Sequence, residues 1–560
     1  MHDRWGIADG YHDVAGYWHP TDTETRALLR AAIGEPSTPP RHWFVHQGSR
    51  HQLDEPCQLI AEDGTAYGLI NELPGELPCG YHILEPVDDS PQTWLVVHPP
   101  TCLEAPYGWG VAAQVYSLWG KRSWGIGDLD SVIELAQGVA TAGGTAVLMS
   151  PLHAPAPTFP QQPSPYYPSS RRWLNPLLIP VSGDPPEVID NERGGLIDRD
   201  SVWRAKRQAL ATRFAAEQQD PGWRSWARAQ GRDLWRFCTF GALADEYGPA
   251  WSEWPVELRH PDSPAVADRA LRDRAFGERL DFHAWCQWVA HRALERAAAA
   301  AGCALIGDLA VGSSPDGADA WSDQDMMAMD VQLGAPPDPF NTSGQAWGLP
   351  PFIPWRLREA RYEPFIAMVR AAMHAVGGLR IDHVMGLFRL FWIPSGKHPS
   401  AGAYVQLPAA EMLAIICLEA HRAGVFVVGE DLGTVQPEVR AALSTTGVLG
   451  TKVWLFDSDV AAWPPPNLAT VTTHDLPTVA GVLAGLGGTD EMRVNLRRVE
   501  PSADAERTIV AVHAEVARSP ARLVIATLDD LAGSIVQPNH PGTIDEFPNW
   551  RMRMSASPTV

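Results

Sequence analysis

Eight short apolar runs, separated by longer stretches of helical pattern, constrain this chain more than any other feature. They are "GVAAQVYSL" (110–118), "GTAVLMSPL" (144–152), "CALIGDLAVG" (303–312), "GGLRIDHVMG" (377–386), "GVFVVGEDLG" (424–433), "TKVWLFD" (451–457), "NLATVTTHD" (467–475) and "ARLVIATLDD" (521–530). A strand buried on both faces reads as a continuous apolar run, and strands alternating with helices make a parallel sheet. Eight such units predict an α/β fold of the (β/α)8 TIM-barrel type. A doubly wound sheet is the other arrangement, but no GxGxxG or GxxxxGK[ST] phosphate loop follows any of the runs.

The 560 residues exceed what one hydrophobic core usually holds, about 250–300. The pattern divides them into three parts. Residues 1–38 form a short helical segment, in which "TDTETRALLRAAIG" carries a polar start and a glycine stop. Residues 39–104 alternate β-like runs with turns, including the hairpin signal "EDGTAY", and predict a β-rich, sandwich-like domain. Residues 105–560 hold the barrel. The stretch 153–302 is too long for one connection and predicts a largely helical insertion after the second strand. In it, Phe282, Trp285, Cys286 and Val289 share one helical face, as core residues do.

Composition narrows the function. A net charge of −22 argues against nucleic acid and anionic membranes as partners, since both need a basic surface. No apolar run reaches the ~18 residues of a membrane span, and no apolar signal segment opens the chain. Seven scattered cysteines without CxxC spacing fit reduced thiols and a cytoplasmic location. The 23 tryptophans suit either a core or flat faces for neutral sugars.

Six of the eight runs end in an acid: Asp308, Asp382, Glu430 with Asp431, Asp457, Asp475, and Asp529 with Asp530. Barrel enzymes carry their sites at the C-terminal ends of the strands. One such acid can be a helix cap, but several at equivalent positions point to chemistry. His383 and His474 come from different runs, and neither HxH nor HExxH occurs, so neither a metal nor another cofactor is expected. Glycosyl transfer fits better, because it needs one ionised carboxylate and one protonated acid. Arg380, two residues before Asp382, is expected to keep that acid ionised.

The stretches "QVYSLWGKRSWGIGDLDS", "SPYYPSSRRWLNPL", "IGDLAVGSSPDGADAW", "GAPPDPFNTSGQAWGLPP", "LRIDHVMGLFRLFWIP", "VVGEDLGTV", "TTHDLPTVAG" and "PGTIDEFPNWR" follow one another in order between about residues 110 and 551. This chain resembles the 4-α-glucanotransferases of the amylomaltase, or disproportionating enzyme, family, glycoside hydrolase family 77. The resemblance implies Asp382 as nucleophile, Glu430 as general acid/base and Asp475 as transition-state stabiliser. It implies Tyr166, Asp308, Asp338, Gln345, Trp347, Arg380, His383 and His474 as substrate-binding residues, with Asp338, Gln345 and Trp347 on a loop covering the glucan. The implied substrates are malto-oligosaccharides and α-1,4-glucans derived from starch or glycogen, with glucose as an acceptor. Three positions depart from the pattern, Leu407, Pro538 and His540, and little chain follows "NWRMRM", so a last barrel helix that is short or missing is expected. A hydrolase using the same carboxylates and an inactive glucan-binding protein are the competing functions.

Overall fold

The computed structural model describes residues 2–555 except 14, 15, 38, 39, 89, 121, 191, 193, 338–340, 434 and 545. Each of the eight runs overlaps one strand: β1 (Gly108–Ala113), β2 (Ala146–Met149), β3 (Ala304–Leu309), β4 (Gly378–Ile381), β5 (Phe426–Gly429), β6 (Gly450–Val453), β7 (Asn467–Thr470) and β8 (Leu523–Thr527). The fold class is α/β, a (β/α)8 barrel. Each strand is shorter than its run. Beyond Ala113, for example, the chain turns into a single 3-10 turn, Val115–Ser117, and the apolar side chains there are buried without being strand.

The chain forms two compact units. The larger comprises residues 105–324, 375–382 and 451–560. In it the hydrogen-bonded order is β4-β3-β2-β1-β8-β7-β6. The β3–β4, β2–β3, β1–β2, β1–β8 and β7–β8 pairs are parallel. Asp308 stands opposite Arg380 in the β3–β4 register, so each side chain is presented at the same level of the sheet. Val111, Val147, Met149 and Leu305 are buried in one core with Leu135 and Val139 of the helix Leu129–Thr141.

The insertion is mostly helical, as its apolar spacing predicts. Its long helices are α1 (Arg199–Glu217), α2 (Pro221–Tyr247) and α3 (Arg274–Ala300). Each begins at an aspartate whose carboxylate accepts a first-turn N–H: Asp198 from Ser201, Asp220 from Gly222 and Asp273 from Phe276. Phe282, Trp285, Cys286 and Val289 face inward from α3 against Phe214 and Trp223.

The smaller unit comprises residues 1–104, 325–374 and 383–450. Its N-terminal part is β-rich. Five strands run in the order 41–46, 93–98, 80–86, 52–60, 66–72, and only the first pair is parallel. The expected hairpin joins 52–60 to 66–72 through Gly64, whose φ of +84° suits a residue without a Cβ. The helix Thr23–Ile33 starts at Asp22 and stops at Gly34. Four further strands, in the order 345–346, 331–335, 389–394, 403–406, form a separate antiparallel sheet. In that sheet Arg389 lies over the Tyr404 ring at 4.0 Å, a cation–π contact. The strand β5 belongs to this unit, and Gly429 at its end leaves room for Val384, which a Cβ would approach to 2.9 Å.

Tryptophan use is settled by burial. Trp203, Trp223, Trp254, Trp285, Trp321, Trp392, Trp454 and Trp463 are fully buried, so the aromatic excess serves the cores first.

Candidate active site

In the larger unit, the ends of β3, β4 and β7 carry a continuous polar lattice. Arg380 is its hub. Nη1 donates to both oxygens of Asp308, at 2.6 and 2.8 Å, and Nη2 donates to Asp382 Oδ1 at 2.8 Å. One guanidinium thus spans two carboxylates, which its planar fork allows and a lysine would not. The Arg380 and Asp308 side chains are 11% and 3% exposed, so solvent screens this pair little. Burial pushes the Asp308 carboxyl above its ordinary range against the pull of Arg380, and the Asp382 charge acts in the same direction as burial.

The Tyr166 hydroxyl donates to Asp308 Oδ2 at 2.6 Å. Burial and the Asp308 charge raise the phenol well above its usual range, so Tyr166 keeps its proton for this bond. Its ring stacks on His474 at 4.7 Å and 25°. His474 Nε2 lies 3.3 Å from Asp475 Oδ2. Burial, the largest influence, favours the neutral imidazole, but the Asp475 charge and its hydrogen bond together outweigh it and His474 is shifted up. Asp475 moves the other way: burial opposes ionisation, and the His474 charge with hydrogen bonds from His474 and Asn539 pulls it down. The Asp475 side chain keeps 47% of its surface in solvent, which screens the pair.

Two residues of this lattice are not picked out by the sequence reading. Asn539 Nδ2 donates to Asp475 Oδ1 at 2.6 Å. Trp550, held at a φ of +61°, packs its ring 5.3 Å from Tyr166 and 5.4 Å from His474. Both come from irregular chain after β8, where no periodicity marks a side chain's direction. The signal that could have found Trp550 is its place in the "PNWR" stretch.

The chain crosses from the larger unit to the smaller at the Asp382–His383 bond. His383 sits in the left-handed region, φ 48° and ψ 58°. Its N–H donates to Glu430 Oε2 at 3.0 Å, and the Leu432 N–H donates to Oε1 at 2.7 Å. The Glu430 carbonyl accepts from Val384 N–H at 3.0 Å. Glu430, directly after β5, is therefore oriented by the backbone of the residue that follows Asp382. The His383 imidazole meets the Trp347 indole edge-on at 5.2 Å, and Trp347 Nε1 donates to Gln345 Oε1 at 3.1 Å. Asp338 lies outside the described residues.

Other run-end acids have structural work. Asp457 accepts from Trp463 Nε1 at 3.1 Å. Asp530 accepts the Val479 N–H at 2.8 Å and is fully buried. Asp431 pairs with Arg440 at 3.5 Å. Asp529 is pushed up to about 7 by burial and then by the Asp530 charge.

A barrel with an arginine-bridged acid pair and a histidine–aspartate pair at its strand ends has the apparatus of an enzyme acting on glycosidic bonds. Comparison with known proteins narrows this. The family model for 4-alpha-glucanotransferase, glycoside hydrolase family 77, matches residues 113–557. The 4-alpha-glucanotransferase of Mycobacterium tuberculosis is 40% identical over 567 residues, 86% of this chain and 77% of that protein. The 4-alpha-glucanotransferase of Haemophilus influenzae is 32% identical over 597 residues, 90% of this chain and 85% of that protein. The crystal structure of amylomaltase from Corynebacterium glutamicum superposes with a TM-score of 0.82 at 28% identity, covering 98% of this chain and 95% of that one. The chain belongs to glycoside hydrolase family 77, and it is a glycosyl-transferring enzyme of the 4-α-glucanotransferase type that acts on α-glucans. Among the described residues no helix is long and apolar enough to cross a membrane.

Proposed function

We propose that this enzyme transfers an α-1,4-glucan segment by retaining double displacement, with Asp382 as nucleophile, Glu430 as general acid/base and Asp475 as stabiliser of the transition state. The observation that carries the reading is the Arg380 fork. It leaves one Asp382 oxygen tied and the other available to attack an anomeric carbon. Glu430 protonates the departing 4-oxygen, and a covalent glucosyl-enzyme forms on Asp382. After the first product leaves, Glu430 takes the proton from an incoming sugar 4-hydroxyl. That hydroxyl attacks the intermediate and configuration is retained. Asp475, exposed and anchored by Asn539, binds ring hydroxyls more strongly in the distorted, cationic transition state than in the ground state.

Tyr166, Asp308, Arg380, His383 and His474 hold the donor sugar, and Gln345 and Trp347, with Asp338, cover it. The covering aromatic excludes water, which favours a sugar acceptor over hydrolysis. The substrates proposed are malto-oligosaccharides and starch- or glycogen-derived glucans as donors, with glucose or a glucan end as acceptor. The seven free cysteines are consistent with a cytoplasmic site of action.

Incubation with maltotriose tests the reading. A ladder of longer oligosaccharides together with glucose is expected from the native enzyme. Asp382→Asn and Glu430→Gln are each expected to lose at least about 10³-fold in rate while melting normally. Glucose and maltose alone would show hydrolysis, and native-like turnover in either variant would overturn the assignment.

A further inference from the structure

The helical insertion holds a cavity of about 330 Å³ that shares no residue with the lattice described above. Trp288, Arg292 and Arg296 follow at four-residue spacing on α3, so they line one face of that helix. Arg213 reaches the same cavity from α1, and Ile179 and Val289 supply an apolar floor. Three arginines lining one cavity is unexpected in a chain with a net charge of −22.

Two of the three are weakly engaged. Arg213 bonds Glu217 at 2.8 Å one turn away, and Arg296 bonds Asp130. Both arginine side chains are about half exposed, and exposed pairs of this kind contribute little to stability. Arg292 lies over the Trp288 ring at 4.9 Å, and no carboxylate pairs with it among the described residues. Forked donors over a flat apolar floor match a phosphate ester carried on an aromatic base. Guanidinium forks bind phosphate oxygens two at a time, and the face of an aromatic base packs on apolar side chains such as Ile179 and Val289. A neutral glucan would leave the three charges unused. The volume lies at the small end of the ~300–1,000 Å³ range of ligand sites, enough for a nucleoside bearing one or two phosphates.

We propose that this cavity binds a purine nucleoside diphosphate, with its phosphates on Arg213, Arg292 and Arg296 and its base on the Ile179–Val289 floor. The test is calorimetric titration of the full chain with ADP, adenosine and inorganic phosphate, each with and without saturating maltotriose. ADP is expected to bind, and both adenosine and inorganic phosphate to bind at least about tenfold more weakly. Arg292→Gln and Arg296→Gln, both on the surface, are each expected to weaken ADP by about tenfold while maltotriose transfer stays unchanged. Maltotriose is expected to leave ADP affinity unaltered. No ADP binding up to about 5 mM would overturn the proposal. So would ADP affinity unchanged in both variants, inorganic phosphate matching ADP, or displacement of ADP by maltotriose.

Discussion

Replacing Arg380 by methionine removes one side chain and three charge-assisted hydrogen bonds together. At an effective dielectric constant of 20, two unit charges 4 Å apart attract by about 4 kcal/mol. Removing one member of a buried pair costs ~3–5 kcal/mol, since the partner is left charged without compensation. Asp308 is that partner, 3% exposed at its side chain. It has an escape, because protonation neutralises it and burial already pushes it in that direction. The loss is therefore capped, and an apparent destabilisation of about 3 kcal/mol is expected at pH 8, falling to roughly 1 kcal/mol at pH 5, where Asp308 takes a proton more readily. Melting curves at the two pH values read this difference. Adding Asp308→Asn to Arg380→Met is expected to restore most of the stability at pH 8, since no buried charge remains. It is not expected to restore transfer, because Asp382 still lacks the donor that orients it. A loss of equal size at both pH values, or recovery of transfer in the double variant, would refute the reasoning.

Asp529 offers a second pH test. Its folded value of about 7 lies above the ordinary carboxylate value, so the folded state holds a proton that the unfolded state releases. Stability contributed by that proton is present below about pH 4 and is lost as pH rises to about 7. Asp529→Asn is therefore expected to stabilise the protein at pH 8, with a ceiling of about 4 kcal/mol, and to leave it unchanged at pH 4. Melting temperatures at both pH values decide the matter. Asn539→Ala removes a hydrogen bond that pulls Asp475 down, so the acid limb of the transfer-rate profile is expected to move to higher pH. An unmoved limb would mean that Asp475 does not set it. His383→Gly keeps the N–H donated to Glu430 and relieves a left-handed backbone. It is expected to be as stable as the native chain or up to about 1 kcal/mol more so, while KM for maltotriose rises through loss of the imidazole. Marked destabilisation would show that the His383–Trp347 contact outweighs the backbone strain.

Much of the fold was open to reading because burial leaves a local trace. Strands covered on both faces must be apolar along their length, so six of the eight strands fall within their runs, and β1 and β6 begin only two residues and one residue before theirs. Helix ends declare themselves through caps such as Asp22 and Gly34, and a core face through spacing such as that of Phe282, Trp285 and Val289. The acids at the run ends were equally visible, and so, through the family resemblance, were the expected roles of Asp382, Glu430 and Asp475. Sequence position alone could not rank those acids. Asp457, Asp530 and Asp475 all follow apolar strands, yet the first accepts from Trp463, the second caps Val479, and only the third stands half exposed beside His474.

The sequence by itself determined the barrel, the helical insertion, the β-rich N-terminal part and the family. Each of these depends on periodicity or on motifs contained within a few tens of residues. Only the tertiary structure decided that one guanidinium joins Asp308 to Asp382, that Asn539 and Trp550 support Asp475 and His474, and that three arginines share a cavity with Trp288. The physical reason is that burial and charge pairing act between atoms a few ångströms apart. Residues 308 and 382, or 475 and 539, acquire that proximity from packing and not from their separation along the chain.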